Sequence, residues 1–194
     1  LLVEAGLFLS PIGPEGMVVH DQWNWSRSNL FFGFPFYHTG ARVTYGFTDT
    51  IALTLAGYNG WNSGVDNNDD KSVSLQFTYS VTDRVTFSAL YFGGVERADG
   101  APERRGSTAW RHLFDTYLAL YPTPWLSVLV HGDVGFEPNA FGTSWWAAGA
   151  LYARFRIARP LYLALRGDYF HESAPTDAAG SRVGAIFWPV DWMS

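Results

Sequence analysis

His131 and Asp133 stand two residues apart in the run Val128-Leu129-Val130-His131-Gly132-Asp133, and on an extended strand that spacing turns both side chains to one face. An imidazole beside a carboxylate is the pairing that general acid–base chemistry uses. Hydrolysis by such a pair would also need a nucleophile, and the chain has no Gly-x-Ser-x-Gly turn and no cysteine. Catalysis and plain hydrogen bonding both stay open for His131; the second is expected, and the protein is expected not to be an enzyme. Asp66-Asn67-Asn68-Asp69-Asp70 sets oxygen donors at alternate positions, like the start of a calcium loop. Lys71 then takes the place of the turn glycine and Phe77 that of the bidentate acid, so a solvated loop is expected, with no metal and no cofactor.

The other regularly spaced ionisable residues form a row rather than a triad. His38 and Arg42, Asp115, Arg154 with Arg156, and Arg166 with Asp168 all fall in stretches where the intervening residues are apolar. The pattern is plainest from Lys71 to Thr82, where Val73, Leu75, Phe77, Tyr79 and Val81 alternate with polar residues. A period of two is that of a strand with one oily and one wet face. Ten such strands are expected, at Leu1–Leu9, Phe36–Phe47, Ile51–Asn59, Lys71–Val81, Val85–Gly94, Trp110–Tyr121, Trp125–Phe136, Trp145–Ile157, Leu161–His171 and Ser181–Trp188. Most are near the ~10 residues with which a tilted strand crosses a bilayer.

The connections alternate in length. Thr48-Asp49-Thr50, Thr82-Asp83-Arg84, Pro122-Thr123-Pro124 and Ala158-Arg159-Pro160 read as tight turns, whereas 60–70, 95–109, 137–144 and 172–180 read as longer loops. Short turns on one side and long loops on the other are the mark of an up-and-down outer-membrane barrel. On that reading Tyr37, Val43, Tyr45, Phe47, Phe114, Leu118, Val128, Val130, Leu151, Phe155, Leu163 and Leu165 face lipid. His38, Arg42, Asp115, His131, Asp133, Arg154, Arg156, Arg166 and Asp168 then line the lumen, with Thr44 and Tyr117 beside them. A soluble sandwich or barrel with the oily face inward has the same period and stays open as the alternative.

Composition narrows the choice. Mean hydropathy is near zero and no apolar run approaches the ~18 residues of a transmembrane helix, whereas a barrel hides its membrane signal by alternation. Nine Trp, ten Tyr and fifteen Phe suit interfacial girdles, and Trp110, Trp125, Trp145, Trp146 and Trp188 fall near strand ends. The formal net charge of -5 offers no basic surface for nucleic acid. Residues 10–34 make an unusually long connection carrying Trp23, Trp25 and Arg27; it is expected to fold inward and constrict the lumen. The mixed-charge stretch from Glu96 to Arg105 reads as a solvated loop.

Several short motifs in order add a resemblance. Glu4-Ala5-Gly6-Leu7-Phe8 with Pro11 and Gly13, Asn24-Trp25-Ser26-Arg27-Ser28, the run from Phe36 to Tyr45, Tyr58-Asn59-Gly60-Trp61-Asn62, Asp66-Asn67-Asn68, and Phe187-Trp188-Pro189-Val190-Asp191-Trp192 together resemble the putative β-barrel porin-2, or OmpL-like, family. The likeness spans most of the chain and implies a bacterial outer-membrane barrel of porin type, in a Gram-negative envelope, with no catalytic residues to carry over. Residues 1–194 are expected to form one β-barrel domain, incomplete at both ends, because members of the family are longer. The expected function is passive diffusion of small hydrophilic solutes or ions, with membrane lipid as the other partner. A plugged barrel serving as anchor, oligomer or part of a larger envelope assembly is the alternative.

Overall fold

A computed structural model of the chain describes residues 1–62, 64, 68–81, 84–103 and 109–187. Nine strands follow one another: β1 (Leu2–Leu9), β2 (Tyr37–Gly46), β3 (Ile51–Tyr58), β4 (Ser72–Val81), β5 (Val85–Gly94), β6 (Arg111–Thr123), β7 (Leu126–Asn139), β8 (Gly142–Arg156) and β9 (Tyr162–Ser173). They pair in chain order into one antiparallel up-and-down sheet. Among the described residues the only helical pieces are a 3-10 turn at Val19–Asp21 and the single turn α1 (Asn29–Phe32). The sheet is open, with β1 and β9 as its edges.

Nine of the ten expected strands are present. The tenth is not: over residues 181–187 there is only an isolated bridge from Arg182 to Thr176, and Trp188 lies outside the described residues. Gly180 and Gly184 take φ of +83° and +67°, which breaks the extended backbone a strand needs. The chain instead turns across the polar face, where Glu172 accepts the N–H groups of Ile186 and Phe187. The expected loop over 137–144 is also corrected. β7 and β8 run on to a two-residue turn between Asn139 and Gly142, because Glu137 and Asn139 continue the alternation of His131 and Asp133 and are buried. The tight turns at Phe47–Thr50 and around Pro124 stand, whereas Thr82 and Asp83 lie outside the described residues.

The two faces differ as the pleat requires. Leu55, Leu75, Phe114, Val130, Val134, Leu151, Leu163 and Leu165 all lie on the outer face and are exposed. The polar alternates point the other way into a covered interior. The oily-face-inward arrangement is therefore not the one adopted. An apolar surface of this extent is not stable against water and marks a face that meets lipid or protein.

Aromatic rings bound this outer face. Toward the long loops, Tyr91, His112, Phe136, Trp145 and His171 follow one another across the sheet, with ring centroids of 6.1 Å for Tyr91–His112, 4.7 Å for His112–Phe136 and 5.2 Å for Trp145–His171, and Phe136 opposite Trp145 in register. Toward the short turns, Tyr45 packs on Phe47 and Trp125 stacks on Phe155. Trp145 and Phe155 stand ten residues apart on β8, about 33 Å of strand. At a tilt near 40° that spans about 25 Å of membrane normal, the height of the apolar band of outer-membrane barrels.

Arg at Val130, midway between the two rows, is expected to cost about 2–4 kcal/mol, and Arg at Thr143, beyond the loop-side row, about 0–1 kcal/mol. Urea unfolding in lipid vesicles measures both; equal costs would show that the outer face does not sit in hydrocarbon.

Candidate functional site

The face opposite the apolar band is built from alternate residues of β6 to β9. It carries Arg111, Asp115 and Tyr117; His131, Asp133, Glu137 and Asn139; Ser144, Trp146, Tyr152, Arg154 and Arg156; and Arg166, Asp168 and Glu172. The segment between β1 and β2, residues 10–36, lies across it. The N–H of Gly13 donates to Asp115 Oδ1 at 3.1 Å on β6, and the N–H of Asn29 donates to Asp168 Oδ2 at 2.9 Å on β9. Trp23 reaches Tyr121 and Arg154 near the short-turn end. The segment thus runs the height of the sheet.

At the centre, the Nε2–H of His131 donates to Asp115 Oδ2 at 2.6 Å, not to the expected neighbour Asp133. Phe34 packs on the imidazole, with centroids 5.7 Å apart. Gly13 adopts φ +73°, and a Cβ there would stand 3.0 Å from His131 Cε1, so the backbone approaches where only glycine fits easily. His131 is sealed beneath the segment, with 2% of its side chain exposed. Among the described residues its Nδ1 and both carboxylate oxygens of Asp133 have no hydrogen-bond partner.

A clasp at β9 holds the segment down. Arg166 donates to Asp168 (2.8 Å), to the carbonyls of Ser26 (2.7 Å) and Arg27 (2.6 Å), and reaches Glu15 at 3.4 Å. Glu15 in turn accepts from the N–H and hydroxyl of Ser28, and Ser28 caps α1 through the N–H of Phe31. At the long-loop end the fully buried Glu137 accepts from Arg97 Nε at 2.6 Å and Arg111 Nε at 2.8 Å. Arg111 also lies over the ring of Trp61 at 4.9 Å. Arg97 donates to the carbonyls of Gly184 and Ala185 as well, and Ser144 to that of Gly184. Glu96 accepts from the N–H of Trp61 and the hydroxyl of Ser72. The solvated-loop reading of this stretch is thus corrected at Glu96 and Arg97, which turn inward to these partners; Arg104 and Arg105 lie outside the described residues.

All nine residues singled out from sequence lie on the polar face. His38 is buried, donating from Nδ1 to the Gly60 carbonyl at 3.0 Å and stacked on Tyr58. Arg42 pairs with Glu4 at 2.7 Å and covers Phe8. Arg154 lies over Trp23 and Tyr162, and Arg156 lines the same hollow. The segment's three residues divide. Trp23 packs inward, and Arg27 stays within the segment, donating to the Met17 carbonyl and covering Phe31. Trp25 is 88% exposed, because the bends around it turn neighbouring indoles to opposite sides. It does not line the polar face. Of the calcium-like run, Asp66 and Asn67 lie outside the described residues, and Asn68 donates to the Val95 and Arg97 carbonyls.

Gly13, Glu15, Arg97, Arg111 and Glu137 matter here but were not singled out from sequence. Arg111 and Glu137 share the alternation of Asp115 and Asp133, a signal that could have found them. Gly13, Glu15 and Arg97 sit in irregular segments, where no period reports direction. The family model described as Putative beta-barrel porin-2, OmpL-like, matches residues 1–186. No curated protein and no solved structure matches the chain.

Arg166→Ala leaves Glu15 and Asp168 buried without their cation, and Glu137→Leu leaves two arginines without their acid. Each is expected to cost about 3–5 kcal/mol in denaturant unfolding. Arg166→Ala is also expected to open residues 10–36 to limited proteolysis while the strands stay protected; unaltered cleavage would rule out the clasp.

Proposed function

The chain belongs to the putative β-barrel porin-2, OmpL-like family, and from that premise we propose that it walls an outer-membrane barrel passing small hydrophilic solutes or ions. One observation carries the reading: the apolar residues are outside and the ionisable ones inside, which suits a protein with lipid around it and water within. In lipid the two open edges of the sheet would have to be met, which is the reason for reading it as part of a barrel wall. Unpaired N–H and C=O groups on β1 and β9 would each cost several kcal/mol in hydrocarbon. Passage would be passive, with selectivity set by the charged wall. In this reading His38, Arg42, Asp115, His131, Asp133, Arg154, Arg156, Arg166 and Asp168 form the lumen wall, and residues 10–36, through Trp23, constrict it.

The same constriction favours a second reading. Beneath the segment Asp115 and His131 are each 3% exposed, and Glu137 and Ser144 are sealed in the same way under residues 184–185 at the long-loop end. A barrel plugged in this way would act as an anchor or as one part of a larger envelope assembly.

Planar-bilayer recording separates the two. The channel reading expects stable conductance steps, which grow when residues 13–34 are replaced by a short Gly/Ser linker. Silence from the intact protein, with steps appearing only after the replacement, establishes the plug. Equal conductance before and after would show that the segment does not constrict.

A further inference from the structure

Five arginines have a carboxylate partner: Arg42 with Glu4, Arg97 and Arg111 with Glu137, Arg166 with Asp168 and Glu15, and Arg182 with Glu172. Arg27, Arg84, Arg154, Arg156 and Arg159 have none among the described residues, and three of these five, Arg84, Arg154 and Arg156, line neighbouring hollows. Arg154 and Arg156 line a hollow of about 230 Å³ with Tyr121, Thr123 and Tyr162. Arg84 lines an adjoining hollow of about 650 Å³ that shares Tyr121 and Thr123. Both open at the short-turn end of the sheet, and among the described residues no Asp or Glu lines either.

Arg154 is the best placed of the three. Its guanidinium sits over Trp23 at 4.7 Å and near Tyr162 at 5.3 Å, so stacking fixes the plane of its donors. Its Nε is buried without a hydrogen-bond partner among the described residues. A cation held partly out of water with a donor unmet and no counter-charge is unfavourable unless an anion completes it. A planar guanidinium matches the paired oxygens of a carboxylate or phosphate. Deeper along the face Asp115 is paired with His131 and Asp168 with Arg166, which leaves Asp133 alone of the three without an ion-pair partner among the described residues.

We propose that the short-turn mouth of the polar face is an anion-collecting vestibule, in which Arg84, Arg154 and Arg156 take small solutes bearing a carboxylate or phosphate group. Binding rests on this geometry alone; its consequence for transport rests on the channel reading above.

Two measurements test it, with KCl and iodide as the probes. In a KCl gradient across a planar bilayer, the intact protein is expected to pass chloride in preference to potassium. The variant Arg154→Glu/Arg156→Glu lowers that preference about threefold or more at low salt, and the difference fades near 1 M as the screening length falls to ~3 Å. Arg154→Lys/Arg156→Lys retains the preference. Independently of conduction, iodide should quench tryptophan fluorescence more than caesium does, and that excess should fall in the Glu variant. Arg84→Glu, at an exposed position, serves in both measurements should the double variant not fold. Conductance with a potassium preference, or with one that the Glu variants leave unchanged, overturns the vestibule while the channel stands. No conductance but an iodide excess lost in the Glu variants keeps the vestibule and removes the channel. No conductance and no excess removes both.

Discussion

The pleat of a strand sends successive side chains to opposite sides, and nearly everything else in this molecule depends on that. Once the apolar set is turned outward, the charged set has no choice but to face in. An ion taken from water costs several kcal/mol unless geometry and hydrogen bonding compensate it. The inner face is accordingly crowded with exchanges: acid to base across strands, as in Glu137 with Arg111, and side chain to backbone, as in Arg166 with the carbonyls of Ser26 and Arg27.

The irregular segments follow from the same need. A chain running across a dry interior without strand or helix must satisfy its own N–H and C=O groups. Residues 10–36 do so partly within the segment and partly on the charged wall, through Gly13 on Asp115 and Asn29 on Asp168. Residues 184–187 use Arg97 and Glu172 in the same way. Wall and insert therefore satisfy one another. Without the insert Arg166 would lose Glu15 and two carbonyl acceptors, and without the wall the N–H groups of Gly13 and Asn29 would lose theirs.

The strands were legible because their signal is periodic and repeats. From Phe36 to His171 the alternation of single residues gave both the elements and their faces, and Tyr45, Val130 and Leu165 lie on the side it indicates. It failed where the chemistry of a residue was read without its position. Glu137, Pro138 and Asn139 look like loop, yet two of them point inward to buried partners. At the other extreme, Ser181 to Phe187 looked like a strand until backbone torsions at two glycines turned it aside. Most of the contacts across the face were beyond reach for a different reason. Glu15 meets Arg166 over 151 positions of sequence, and Arg97 meets the Gly184 carbonyl over 87. No local spacing encodes such encounters; they come from how far the sheet curls around what it encloses.

That enclosure bears on how the two edges can be met. As first and ninth members of an up-and-down array, β1 and β9 head in the same direction, so stitching them directly together would make a parallel seam. Eight or so strands leave room only for side chains, and a can of about eleven is wide enough for a central helix; this array already holds a 27-residue insert with its helical turn. A hoop laced by antiparallel ladders throughout must have even parity, and the nine strands among the described residues are an odd count.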